Sequence, residues 1–138
     1  MILLDTSGLL AALDASQRHH REAAASLAAA RPPLLLSPFV LAELDYLLGA
    51  RVGAAARTSL LHEVERGAYL LETMSGTDVA MANALIQGHA DLNVSLADAS
   101  IVVLAERHQI RDVLTLDERH LRVLTANGKA LRLLPADA

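Results

Sequence analysis

The 138 residues include no cysteine and no tryptophan, a single lysine, and only three Phe or Tyr rings: Phe39, Tyr46 and Tyr69. The missing cysteine excludes a disulfide scaffold, Cys-based zinc sites, iron–sulfur clusters and a thiol nucleophile, and permits a reducing compartment. Three rings are too few to stack a row of unpaired bases. Hydrophobic residues reach 53%, yet the longest apolar runs, such as Ile101 to Ala105, fall far short of the roughly 20 residues a membrane helix needs. The opening Met1-Ile2-Leu3-Leu4-Asp5 has no basic leader before its apolar run and does not read as a secretory signal. A cytoplasmic protein without membrane association is therefore expected. With 12 basic against 16 acidic residues the net charge is −4, which disfavours a protein that coats nucleic acid electrostatically. The length fits one domain over residues 1–138, able to bury roughly two-thirds of its unfolded surface.

Short apolar runs alternate with helical patterns along the chain. Ile2-Leu3-Leu4 is closed by Asp5-Thr6-Ser7-Gly8, after which Leu9, Leu10 and Leu13 follow at helical spacing, so a buried strand hands over to a helix. A helix is expected over 16–30, starting at Ser16 and ended by Pro32-Pro33. Leu34-Leu35-Leu36 repeats the strand pattern. Ser37-Pro38 then opens a helix with Ser as N-cap and Pro at the first position, expected to stop at Gly49. Residues 54–66 read as a helix closed by Gly67, and 68–71 as a strand. Ser75-Gly76-Thr77-Asp78 and Ser95-Leu96-Ala97-Asp98 are capping boxes, each opening a further helix. A strand over 113–116 leads to Asp117 and a short helix. Asn127-Gly128 marks a turn between 121–125 and 131–134, read as a last strand pair. The whole pattern predicts a doubly wound α/β fold with a parallel sheet, in which ligands sit outside the carboxyl ends of the strands.

Four acids fall at or near those ends. Asp5 follows the first strand, Asp117 follows the 113–116 strand, and Asp98 heads an apolar helix. Glu43 lies one and a half turns into the helix after the second strand, on a face shared with Phe39 and Tyr46. Each has a structural role open to it: Asp5 and Asp117 as N-caps, Asp98 as the capping-box partner of Ser95, Glu43 as a surface residue at a helix rim. Should they converge, two unit charges about 4 Å apart repel by on the order of 4 kcal/mol at an effective dielectric of 20. A cluster of that kind persists if it is protonated or holds divalent cations, and an all-oxygen set selects hard ions such as Mg²⁺ or Mn²⁺. Other chemistries lack their parts. Arg66 stands where an HExxH zinc site needs its second His. Gly128-Lys129 lacks the glycine and hydroxyl of a P-loop, and neither GxGxxG nor GxSxG occurs. Ser7 replaces the second Asp of a phosphoaspartate hydrolase.

The segments Ile2-Leu3-Leu4-Asp5-Thr6-Ser7, Ser37-Pro38-Phe39-Val40-Leu41-Ala42-Glu43-Leu44, Ala90 to Ser100 with Asp98, and Val113-Leu114-Thr115-Leu116-Asp117-Glu118-Arg119-His120 together resemble the PIN-domain ribonucleases, in particular the VapC-type toxins. The closing Leu131-Arg132-Leu133-Leu134-Pro135 fits as well. The resemblance implies a three-layer α/β/α fold with a short, mostly parallel sheet, and Mg²⁺- or Mn²⁺-dependent hydrolysis of RNA phosphodiesters. It also implies a homodimer and inhibition by a VapB-type antitoxin. The family's acids map onto Asp5, Glu43, Asp98 and Asp117, with Asp5, Asp98 and Asp117 expected to bind metal. Thr6 and Ser7, at the start of the first helix, are expected to contact the substrate phosphate, and Arg107, Arg111, Arg119 and Arg122 are candidates for a phosphate track. The competing reading is a catalytically inactive module of the same fold that serves dimerisation or interaction.

Overall fold

The computed structural model describes residues 1–138. Five short strands form the central sheet: β1 (Ile2–Leu4), β2 (Leu34–Leu36), β3 (Leu70–Leu71), β4 (Asp112–Leu114) and β7 (Arg132–Leu134), in the order β3-β2-β1-β4-β7. Every neighbouring pair is parallel, with Leu3 level with Leu35 and with Val113. Strands this short and this rich in aliphatic residues are stable only when covered, and Ile2 to Leu4, Leu35, Leu36, Val113 and Leu114 are all buried. Seven helices provide the cover and complete an α/β/α sandwich: α1 (Thr6–Leu13), α2 (His20–Ala29), α3 (Pro38–Arg51), α4 (Ala54–Glu65), α5 (Gly76–Gly88), α6 (Leu96–His108) and α7 (Glu118–Leu121). The α6 helix is its central beam. Ala97 to Ala105 are buried without interruption, as expected of a helix that is apolar all round.

The order of the strands places a crevice. From β1 the chain builds outward through β2 to β3, then returns through α5 and α6 to lay β4 on the opposite side of β1. Loops leaving β1 and β4 therefore diverge at their carboxyl ends, where α/β sheets bind ligands. The two ends are stitched together by the Asp5 N–H donating to the Leu114 carbonyl, and the Thr115 N–H in turn ties the end of β4 to the Leu134 carbonyl of β7. A second stitch joins α3 to α6. Ser100 Oγ donates to the Ala97 carbonyl, so the buried 2.7 Å contact between Ser37 and Ser100 uses the Ser37 proton. Ser37 Oγ also accepts from the Phe39 N–H as the N-cap of α3.

Several boundaries depart from the sequence pattern for local reasons. The second helix starts at His20 instead of Ser16, because the Asp14 carboxylate takes the Ser16 N–H and hydroxyl and the Gln17 amide into a turn. The α3 helix passes through Gly49 to Arg51, and the reversal comes at Gly53, where φ is +137°. Around Asn127-Gly128 the hairpin is shorter than expected, joining β5 (Thr125–Ala126) to β6 (Lys129–Ala130). Residues 132–134 instead pair with β4 and close the main sheet.

Gly8 governs how closely α1 approaches β4. A Cβ added there would lie 2.3 Å from the Leu114 carbonyl oxygen, a backbone atom that cannot rotate away. Gly8→Ala is expected to destabilise the fold by about 3 kcal/mol in urea unfolding, because overpacking outweighs the better helix propensity of alanine. Gly76→Ala, which meets open space, is the control. A Gly8→Ala variant as stable as the parent would contradict this close packing.

Candidate active site

Asp5 occupies the N-cap position of α1 but makes no capping bond. Its carboxylate turns inward, where Oδ2 accepts the Thr115 hydroxyl at 2.6 Å and the Ser7 hydroxyl at 2.9 Å. Those hydroxyls are themselves fixed by backbone: Ser7 Oγ accepts the Leu116 N–H, and Thr115 Oγ1 accepts the Asp117 N–H. A network running from β1 to β4 thus sets the direction of one buried carboxylate. Burial raises its pKa to about 6; the Thr115 bond pulls the other way, and the charge of Asp98 raises it further.

Asp98 performs the capping role open to it, and it also joins the acid group. Its Oδ2 accepts the Ser95 N–H while Ser95 Oγ accepts the Asp98 N–H. Its pKa is raised, chiefly by burial, with the charge of Asp117 adding to the effect. The N-cap bond expected of Asp117 is present too, from the His120 N–H to Oδ1, and His120 Nδ1 reaches Oδ2 at 2.8 Å. Donor atoms of Asp98, Asp117 and His120 all lie within 4.8 Å of one another. The imidazole pKa is raised, first by its bond to Asp117. Asp5, Asp98 and Asp117 therefore form one electrostatically linked row at the crevice between β1 and β4.

The structure places the other predicted residues differently. Glu43 is exposed on α3, without a hydrogen bond or ion pair; of the two rings on its face Tyr46 is 73% exposed, whereas Phe39 is half-buried against the core. The buried face of that helix is Val40, Leu44 and Leu48. Ser7 spends its hydroxyl within the Asp5 network. Thr6 Oγ1, by contrast, is buried and has no hydrogen-bond partner. Of the four candidate arginines, Arg107 is paired with Asp78 and Arg122 with Glu118 and Asp137, and Arg111 reaches the Ala130 carbonyl. Arg119 is exposed and unpaired beside His120. Thr115 and His120 join the site without having been singled out by the sequence pattern. Their signal is positional: a hydroxyl at the end of β4, and an imidazole one turn after a carboxylate.

No lysine or arginine pairs with Asp5, Asp98 or Asp117. Buried and half-buried carboxylates grouped with no lysine or arginine to pair them, and His120 alone beside Asp117, together with an orphaned threonine hydroxyl, match the donor set of a hard divalent ion. Without metal the row carries a cost that depends on pH. The folded-state pKa of Asp5 lies above its unfolded value, so folding binds a proton between about pH 4 and pH 6, and stability from this group falls as pH rises through that window. In metal-free buffer, urea unfolding at pH 4 and pH 7 should show the stability difference moving in favour of Asp5→Asn by up to about 3 kcal/mol at the higher pH. A difference that does not change with pH would contradict the burial of this charge.

Comparison with known proteins agrees with this architecture. Residues 2–124 match the PIN domain family model. The chain is 37% identical over 127 residues to Ribonuclease VapC26 of Mycobacterium tuberculosis, covering 92% of this chain and 94% of the relative. Among solved structures, that of Mycobacterium tuberculosis VapC20, a sarcin–ricin loop cleaving toxin, superimposes with a TM-score of 0.79 at 23% identity, over 85% of this chain and 90% of the other. FitAcB from Neisseria gonorrhoeae gives a TM-score of 0.52 at 23% identity, over 79% and 83%. A parallel sheet with an acid-lined crevice at its switch point, matched in sequence from the first strand to the last helix, makes this chain a member of the PIN-domain family.

Proposed function

We propose that this chain is a divalent-metal-dependent endoribonuclease, acting as one domain over residues 1–138 and serving as the toxin of a VapBC-type toxin–antitoxin pair. The observation that carries the reading is the row of Asp5, Asp98 and Asp117, gathered at a crevice where no lysine or arginine pairs with it and His120 is the one basic side chain at hand. Similarity to Ribonuclease VapC26 at 37% identity supports ribonuclease chemistry, and the fold shared with VapC20, itself an RNA-loop-cleaving toxin, is consistent with it.

In this reading Asp5 and Asp98 hold Mg²⁺ or Mn²⁺, and Asp117 completes the set and serves a second ion where two bind. A bound ion supplies a water of lowered pKa and stabilises the charge that develops on the phosphate and leaving oxygens. The protein's own contribution is orientation. Ser7 and Thr115 fix Asp5 through Oδ2, and the Ser95 N–H fixes Asp98 through Oδ2, so the remaining oxygens are left to face the ligand. Thr6 Oγ1, buried and unsatisfied, gains a partner when a phosphate oxygen or an ordered water enters. Glu43 stands at the solvent side, on a helix whose N-cap is tied through Ser37 and Ser100 to the turn of α6 that carries Asp98. There it acts on a water or on the incoming RNA. Arg119, the uncommitted arginine next to the site, pairs with a flanking phosphate.

A homodimer, a VapB-type antitoxin lying over the crevice and a cytoplasmic location complete the proposal. No helix of the chain is long and apolar enough to cross a membrane.

Asp98→Asn gives the sharpest test. The amide oxygen can still accept the Ser95 N–H, so the capping box and the fold should survive, and removing one of three repelling charges should leave stability equal or higher. Cleavage of RNA by the purified variant in Mn²⁺ should fall below detection, while Asp91→Asn, altered in an exposed turn, keeps parental activity. Undiminished cleavage by a folded Asp98→Asn protein would contradict the proposal, and a parent chain that neither cleaves RNA nor binds Mn²⁺ would favour the inactive interaction module.

A further inference from the structure

Each carboxylate in the row has its own orienting device, and the three devices differ. Asp5 is held by two hydroxyls and Asp98 by a capping box. Asp117 sits between β4 and a helix of only four residues, and every hydrogen bond its carboxylate accepts comes from one residue. The His120 backbone N–H donates to Oδ1 at 3.1 Å, and the His120 ring donates through Nδ1 to Oδ2 at 2.8 Å. A ring nitrogen also lies within 4.8 Å of a carboxylate oxygen of Asp98. The ring therefore stands at the place where the Asp117 wall meets the head of α6.

We infer that His120 is a positioning residue of the metal centre: its ring N–H holds the Asp117 carboxylate toward Asp98 and so sets the distance between two metal-binding oxygens. This rests on the metal-centre reading given above. A carboxylate has lone pairs on both oxygens beyond those used here, so Asp117 can accept from His120 and still ligate an ion. Without the ring, Asp117 keeps its backbone bond but regains rotation about its outer torsion. The ion must then order that carboxylate when it binds, and outer-shell partners of this type typically carry about 10–100-fold in metal affinity. Nδ1, which carries the proton donated to Oδ2, acts through Asp117 and has no free lone pair for the ion, and the comparison of variants below separates this role from ligation by the distal nitrogen.

The probe is Mn²⁺ alone, with its dissociation constant read from the loss of the free-ion electron paramagnetic resonance signal, in three full-length proteins: the parent, His120→Ala and His120→Asn. Asparagine can present an amide N–H close to where Nδ1 stands, and it lacks the distal ring nitrogen. His120→Ala should bind Mn²⁺ roughly 10-fold or more weakly with an unchanged circular dichroism spectrum, and His120→Asn should return to within about threefold of the parent. Parental affinity in His120→Ala would overturn the positioning role. Equal losses in the two variants would overturn it as well, in favour of direct ligation by the imidazole. If the alanine variant misfolds, the comparison of parent with His120→Asn decides: near-parental affinity supports positioning through Asp117, and a loss of tenfold or more overturns it. Failure of the parent itself to bind Mn²⁺ would instead overturn the metal-centre reading, so the two failures are distinguishable.

Discussion

Repulsion among three carboxylates that the fold brings into one crevice is the constraint from which the rest of the site follows. Asp5 is nearly as buried as the leucines before it, and Asp98 and Asp117 add negative charge in sequence along the row. The protein supplies hydroxyls, backbone N–H groups and one imidazole to these acids, but no lysine or arginine. Hydroxyls and backbone N–H groups orient a carboxylate without cancelling its charge, which leaves Asp5 and Asp98 set in direction and still charged when ionised. In the metal-centre reading proposed above, an ion held by the row would bridge an acidic chain, of net charge −4, to an acidic polymer.

Packing close to the site serves this geometry. Gly8 lets α1 lie against the end of β4, which brings Ser7 to Thr115 across more than 100 residues of sequence. The buried α6 helix carries Asp98 at its head and packs against β1, and the Ser37–Ser100 pair locks it to α3. Asp5 and Asp98 are thus mounted on the best-packed elements of the molecule, as precise positioning of charged groups requires.

Much of this is legible in the sequence because the signals are local. Apolar triplets followed by Asp or Ser-Pro mark β1, β2 and the helices they feed. The two capping boxes appear as the spacing of Ser75 with Asp78 and of Ser95 with Asp98 requires. What the sequence leaves open is decided by tertiary contacts. Spacing alone allows Asp98 to be either a cap or a site residue, and it makes the cap while standing in the acid row. Asp5 occupies a cap position without capping, because the hydroxyls of neighbouring Ser7 and distant Thr115 take its carboxylate. On α3 Val40, Leu44 and Leu48 fill the core, Phe39 packs half-buried beside them, and Glu43 and Tyr46 stand exposed. His120 carries no signal beyond its spacing from Asp117, and its significance appears only when Asp98 is seen on the facing wall.

If the crevice is a metal centre, Asp5 and Asp98, with Asp117, share a single hard cation or its immediate neighbours. Anomalous diffraction from a crystal grown in Mn²⁺ tests this most directly. The expected result is a manganese peak at ligand distance from carboxylate oxygens of both Asp5 and Asp98, with Asp117 oriented toward it by His120. A fully occupied ion elsewhere on the surface, with this crevice filled only by water at saturating Mn²⁺, would contradict it.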